Sequence, residues 1–68
     1  MLIDLECKCT ATHRWELVGR FAYAELAVTS AEALSLHDGC TYRVVDRRWS
    51  EDPASPWTSV YSNGQQEQ

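Results

Sequence analysis

The sequence lacks the features that would point to a membrane span, a secreted scaffold or a nucleic-acid-binding protein. Its 68 residues contain no apolar run near the ~20 residues that a membrane span needs. Six basic residues against ten acidic ones give a net charge of −4, which disfavours generic affinity for nucleic acid or anionic lipid. Three cysteines, an odd number, fit reduced thiols in the cytosol better than a disulfide framework.

The first residues bear on the cellular compartment of the protein, and the chain length bears on how it acts. Asp4 and Glu6 stand where a signal peptide would have a basic region and an unbroken apolar stretch, so we expect a cytoplasmic protein. A single core of this size supplies only about 3–5 kcal/mol, which favours binding through a surface over a deep catalytic cleft. We expect one domain over residues 1–62 and a polar, fraying tail over residues 63–68.

The hydrophobic pattern predicts an α+β fold of order ββαββ, with one short helix packed on a four-stranded antiparallel sheet. Residues 3–11 alternate between apolar and polar side chains, which is the period of a half-buried strand. A second strand starts at Trp15 and carries Trp15 and Phe21 on one side, with Gly19 marking a bulge. The pattern leaves open whether residues 22–28 continue this strand or begin a helix.

Residues 29–39 carry the signals of a helix, and two more predicted strands follow it. Thr29 and Glu32 fit a capping box, and Gly39 supplies a left-handed stop, which together predict a helix over residues 30–38. The residues expected to face the sheet are Ala33, Leu34 and His37. β-Branched and aromatic residues then predict strands over 41–49 and 57–62, joined by a proline-rich turn over 51–56.

Cysteine and histidine invite a zinc hypothesis, because thiolate and imidazole are zinc's usual ligands. The candidate ligands are Cys7, Cys9, His37 and Cys40. Cys7 and Cys9 are one residue apart on the apolar side of a strand, so core packing is the favoured interpretation and no metal is predicted. A small zinc-binding regulatory domain is kept as an alternative.

Catalytic chemistry finds little support in the sequence. His37 precedes Cys40 by three residues, but no third group is placed to orient such a pair. Phosphate loops, dinucleotide fingerprints and calcium loops are absent. We therefore expect a protein that is not an enzyme and that needs no cofactor.

A basic and aromatic segment is the predicted contact surface. Residues 41–50 hold three arginines against one aspartate, a local excess of +2 in an acidic chain. The predicted partner-binding residues are Arg43, Arg47, Arg48, Trp49, Trp57 and Tyr61. Such a composition can bind RNA by stacking and phosphate contact, but strand alternation splits these side chains between two faces. Protein contact is favoured, because arginine and tryptophan are typical of interface hot spots.

Two further interpretations stay open from the sequence. Asp4, Glu6 and Glu16 could present an acid stripe to a basic partner, as nucleic-acid mimics do, although a solvated strand face is the simpler interpretation. An exposed edge strand or a tryptophan patch could also form a two-fold homodimer.

Residues 28–46 resemble small proteins encoded by phages and mobile elements, including some anti-CRISPR proteins. The resemblance rests on residues 28–34 (Val-Thr-Ser-Ala-Glu-Ala-Leu), on Gly39 and on residues 42–46 (Tyr-Arg-Val-Val-Asp). It implies a stoichiometric inhibitor that docks on a host protein or ribonucleoprotein complex by surface complementarity. It assigns no site residue, because such families share no common motif.

Overall fold

A computed structural model describes residues 3–8, 13–46 and 57–67 and shows one helix packed on an antiparallel sheet. In chain order the elements are β1 (Ile3–Lys8), β2 (Trp15–Phe21), α1 (Ala24–Asp38), β3 (Thr41–Asp46), β4 (Trp57–Ser62) and β5 (Gln65–Gln66). Across the sheet the strand order is β2-β1-β3-β4-β5. The predicted α+β fold is confirmed, with a fifth short strand beside the four expected.

β1 has the predicted alternation. Ile3, Leu5 and Cys7 are buried in the core, and the residues between them face the other side of the sheet. β1 pairs with β2 on one side and β3 on the other, so its inward side chains lie in the middle of the core. The predicted continuation of the strand over residues 9–11 lies outside the described residues, as do residues 47–56.

The helix begins at Ala24, well before the predicted start, and the predicted capping pair lies inside it. Its N-cap is Tyr23, which has an extended backbone (φ −125°, ψ 134°) and no side-chain cap hydrogen bond. Alanine and leucine are strong helix formers, and Glu25 in the first turn interacts favourably with the helix dipole. These contributions extend the helix without a polar cap. At 15 residues, α1 is too short to be a candidate membrane span.

The helix turns its smallest side chains toward the sheet. Ala27, Ala31 and Ser35 are fully buried and follow one another at four-residue intervals on one face. Small side chains let the helix lie close to the sheet, where the larger rings of Tyr42 and Tyr61 occupy the core.

This close packing decides which way the rest of the helix faces. Leu34 packs against the core, as expected. The expectation that Ala33 and His37 face the sheet was wrong, because both are exposed. The row of small residues sets the rotation of the helix, and Ala33 and His37 are not in that row.

The predicted helix stop at Gly39 is confirmed. Gly39 has a left-handed backbone (φ 73°), and its N–H donates to the carbonyl of Ser35 at 3.1 Å. Just before it, the carboxylate of Asp38 accepts hydrogen bonds from the Cys40 N–H at 2.8 Å and from the Tyr42 hydroxyl. The Tyr42 hydrogen bond lowers the pKa of Asp38, and burial raises the pKa of Tyr42. These bonds fasten the end of α1 to the start of β3.

The C-terminal residues form a hairpin, so the expected fraying tail was wrong over residues 63–66. Asn63 and Gly64 both have positive φ (53° and 80°), as a two-residue hairpin turn requires, and β5 pairs with β4. Asn-Gly is a strong hairpin signal that a purely compositional interpretation overlooks. The Gly64 N–H also donates to the Ser35 hydroxyl at 2.9 Å, which ties this turn to the buried side of α1.

Candidate interaction surface

The helix covers one face of the sheet, and among the described residues no helix lies on the other face. We call this second side the open face. Strand alternation and the observed register define the described side chains that point toward it. They are Asp4, Glu6, Lys8, Trp15, Leu17, Arg20, Thr41, Arg43, Val45, Thr58, Val60, Ser62 and Gln65.

Trp15 and two cations form a cluster in this face. The guanidinium carbon of Arg43 lies 4.3 Å from the centroid of the Trp15 ring, and the Lys8 Nζ lies 5.8 Å from it. Lys8 is the direct cross-strand neighbour of Trp15, whereas Arg43 is on β3 and reaches across β1. A cation within about 6 Å of an indole ring is attracted by the ring quadrupole. The cluster therefore joins side chains from three adjacent strands.

The two arginines described on the open face are paired with acids of β1. The Arg43 Nε lies 2.5 Å from the Glu6 Oε1, and the Arg20 Nε lies 3.2 Å from the Asp4 Oδ1. Glu16 does not extend this row, since it pairs opposite a core residue and points to the other face. The described acids of β1 are thus neutralised locally, which removes the support for an acid stripe that mimics nucleic acid.

Exposure on the open face is greatest beside β2. Leu17 is 50% exposed, a high value for a leucine on a sheet. Val45 also points away from the helix, yet it is only 2% exposed. The exposed leucine of the open face therefore lies on β2, in the same strand as Trp15.

A β-bulge puts Trp15 and Leu17 on this face. The register between β1 and β2 shifts just before Gly19 and leaves Val18 as the extra residue of β2. The extra residue reverses the alternation, so Phe21 packs against the core while Trp15 faces away from it. The sequence predicted the bulge but not its effect on phase, and for that reason Trp15 and Leu17 were missing from the predicted contact residues.

Of the predicted contact residues, the structure describes the side chains of Arg43 and Tyr61, which lie on opposite faces of the sheet. Arg43 lies on the open face and is part of the cluster. Tyr61 is only 4% exposed and pairs with Tyr42 beneath α1, so a folded chain cannot present its ring to a partner. That assignment is corrected here, because alternation along β4 points Tyr61 inward. Trp57 begins β4, and residues 47–49 lie outside the described part of the chain.

The described candidate zinc ligands differ in burial. Cys7 is buried in the core, Cys40 is half-buried, and His37 is exposed on the helix. Cys9 lies outside the described residues. Within the described ranges, no group of three or more histidine, cysteine or acidic side chains is arranged to hold a metal ion. The burial of Cys7 agrees with the core-packing interpretation.

The open face therefore offers a tryptophan carried by a strand, a guanidinium held in place by a carboxylate, and an exposed leucine. These groups are held by hydrogen-bonded strands of one sheet. No protein-family model, curated protein or solved structure matches this chain significantly.

Proposed function

We propose that this protein acts by binding another protein through its open face. The observation that carries the proposal is the Trp15–Arg43 cluster with the exposed Leu17 beside it. Tryptophan and arginine are the residue types that most often dominate binding energy at protein interfaces. Because paired strands hold them, little conformational entropy is lost when a partner binds.

The partner class that we propose is a host protein or ribonucleoprotein complex in the cytoplasm, with the chain acting as a stoichiometric inhibitor. The resemblance of residues 28–46 to phage-encoded inhibitors supports this choice. A sheet face that carries an aromatic side chain beside two cations suits docking on a large partner better than enclosing a small molecule.

Direct RNA binding is the weaker alternative for the same face. Both described arginines of the open face already bond carboxylates, and a phosphate would have to displace those carboxylates. Affinity for nucleic acid depends chiefly on cations that neutralise phosphates. Among the described residues, Lys8 is the one open-face cation that takes part in no salt bridge. A single such cation would neutralise few phosphates of an RNA.

The test is capture of the partner by wild-type and variant chains from nuclease-treated lysate of the source host, followed by affinity measurement with the captured complex. Trp15→Ala should weaken binding by about 2 kcal/mol or more, roughly 30-fold, as hot-spot truncation does. Arg43→Lys keeps the charge but loses the planar fork, so it should also weaken binding. Tyr23→Ala is the matched control, because Tyr23 is 68% exposed and caps the helix on the other side of the sheet.

The variants also separate the alternatives. If Trp15→Ala binds like the wild type while its circular dichroism spectrum is unchanged, the open face is not the binding surface. Capture that disappears after nuclease treatment, with affinity falling steeply with salt, would instead support the RNA alternative.

A further inference from the structure

Two of the three leucines of the helix are exposed, whereas Leu34 packs against the core. Leu26 is 54% exposed and Leu36 is 71% exposed, whereas the buried row consists of Ala27, Ala31 and Ser35. An amphipathic helix of a globular domain normally buries its large apolar residues and exposes its polar ones. In α1, the large apolar side chains at these two positions are left largely uncovered by the described residues.

These leucines belong to one continuous stripe. Leu26, Thr29, Ala33 and Leu36 are spaced by three, four and three residues, which places them along one side of a helix. We call these four residues the outer stripe. The two leucines are separated by about 15 Å at a rise of ~1.5 Å per residue. The small side chains between them would let a second helix approach closely, in the spacing that coiled coils use.

The border of the outer stripe is acidic. Glu25 and Glu32 are seven residues apart and form the next row of the helix on one side of the stripe. Both are exposed, and neither takes part in a salt bridge among the described residues. An apolar stripe with acids along its edge is complementary to an apolar stripe with bases along its edge.

We propose that the outer stripe docks a basic amphipathic helix of a partner protein. Leucines of that helix pack against Leu26 and Leu36, and its lysines or arginines pair with Glu25 and Glu32. A second copy of this chain fits less well, because it would bring another net charge of −4 and a second acidic row to the contact.

This surface is separate from the open face. The outer stripe lies on the side of α1 that faces away from the sheet, and the open face lies on the other side of the sheet. The two surfaces can therefore be occupied at the same time, by two proteins or by two parts of one complex. The inference does not depend on the proposed function of the open face.

The test uses a fluorescein-labelled peptide of 18 residues, with leucine at heptad spacing and lysine elsewhere, and the full chain as the binding partner. A scrambled peptide of the same composition and a leucine–glutamate peptide are the controls. We expect saturable anisotropy binding of the ordered basic peptide alone. The combined change Leu26→Gln and Leu36→Gln should weaken it by at least about 10-fold, because most of the buried apolar area is lost. Val18→Gln, at an apolar site on β2 that is 49% exposed, should leave it unchanged.

A charge exchange makes the test specific. Glu25→Lys combined with Glu32→Lys should reverse the preference, so that the variant binds the leucine–glutamate peptide better than the leucine–lysine one. Equal binding of the scrambled peptide, or unchanged preference in the exchanged variant, would overturn the proposal. Dimerisation in sedimentation experiments that Leu36→Gln abolishes would also overturn it, since a second copy would then be the occupant.

Discussion

The hydroxyl of Ser35 links the helix to the C-terminal hairpin, and its removal is the most direct test of how this fold is held together. Ser35 is fully buried, and its Oγ accepts a hydrogen bond from the Gly64 N–H at 2.9 Å while donating to the Glu32 carbonyl at 3.1 Å. No buried side-chain nitrogen or oxygen among the described residues lacks a partner. Ser35→Ala would leave the Gly64 N–H without its acceptor.

The expected cost follows from two opposing effects. A fully buried donor left without a partner costs about 1–3 kcal/mol, which is an upper range for the half-buried Gly64 N–H. Alanine is a better helix former than serine and returns about 0.5 kcal/mol. The net loss is therefore about 0.5–2.5 kcal/mol, a large part of the ~3–5 kcal/mol that a core of this size supplies. For a loss near 1.5 kcal/mol, Tm should fall by roughly 6–12 °C.

Urea and thermal unfolding followed by circular dichroism measure this cost, and hydrogen exchange at Gly64 locates it. Ser30→Ala is the matched control, because Ser30 lies in the same helix and gains the same propensity without losing a hydrogen bond to the hairpin. We expect Ser35→Ala to be less stable than Ser30→Ala and to lose protection of the Gly64 amide. Equal stability and equal protection in the two variants would refute the reasoning.

Two other predictions concern titration and backbone conformation. Burial raises the pKa of Tyr42 above its ordinary value of 10.0, so the neutral phenol contributes stability that is complete below pH 10 and is lost as pH rises above it. Tyr42→Phe should therefore reduce the loss of unfolding free energy at alkaline pH. The loss that remains is due to Tyr61, whose pKa is also raised by burial. An identical dependence of unfolding free energy on alkaline pH in the variant and the wild type would contradict this. Gly64→Ala should destabilise the protein more than Gly39→Ala in urea unfolding, although both glycines have positive φ. The reason is that a Cβ on Gly64 would lie 3.1 Å from the Leu36 Cβ, whereas a Cβ on Gly39 meets nothing within 4 Å. Equal losses of unfolding free energy in the two variants would show that the contact with Leu36 relaxes freely.

The two proposed surfaces differ in how far they can be predicted from the sequence. Arg43 was predicted as a contact residue from its basic and aromatic neighbours, and it lies on the open face. Its partners there, Trp15 and Glu6, are distant along the chain and meet it only because β1 lies between β2 and β3. The outer stripe was not predicted, since a leucine on a helix is normally assigned to the core.

Local patterns alone determined much of the secondary structure. Alternation predicted β1, the β-branched run ending at Ser62 predicted β4 over residues 57–62, and the conformational freedom of glycine predicted the helix stop at Gly39. Each of these signals depends on neighbours within a few residues, so no tertiary contact is needed to recognise it. The α+β class followed from the order of the elements.

Tertiary structure decided which side of each strand and of the helix faces the core. The phase of β2 depends on a bulge that inserts Val18, which turns Trp15 to the open face. The rotation of α1 depends on close packing of Ala27 against the sheet, which sends Leu36 outward. The burial of Tyr61 depends on its register with Tyr42. A single-residue shift in a strand, or a rotation of a helix, exchanges inside for outside, and only contacts between distant segments select one of the two.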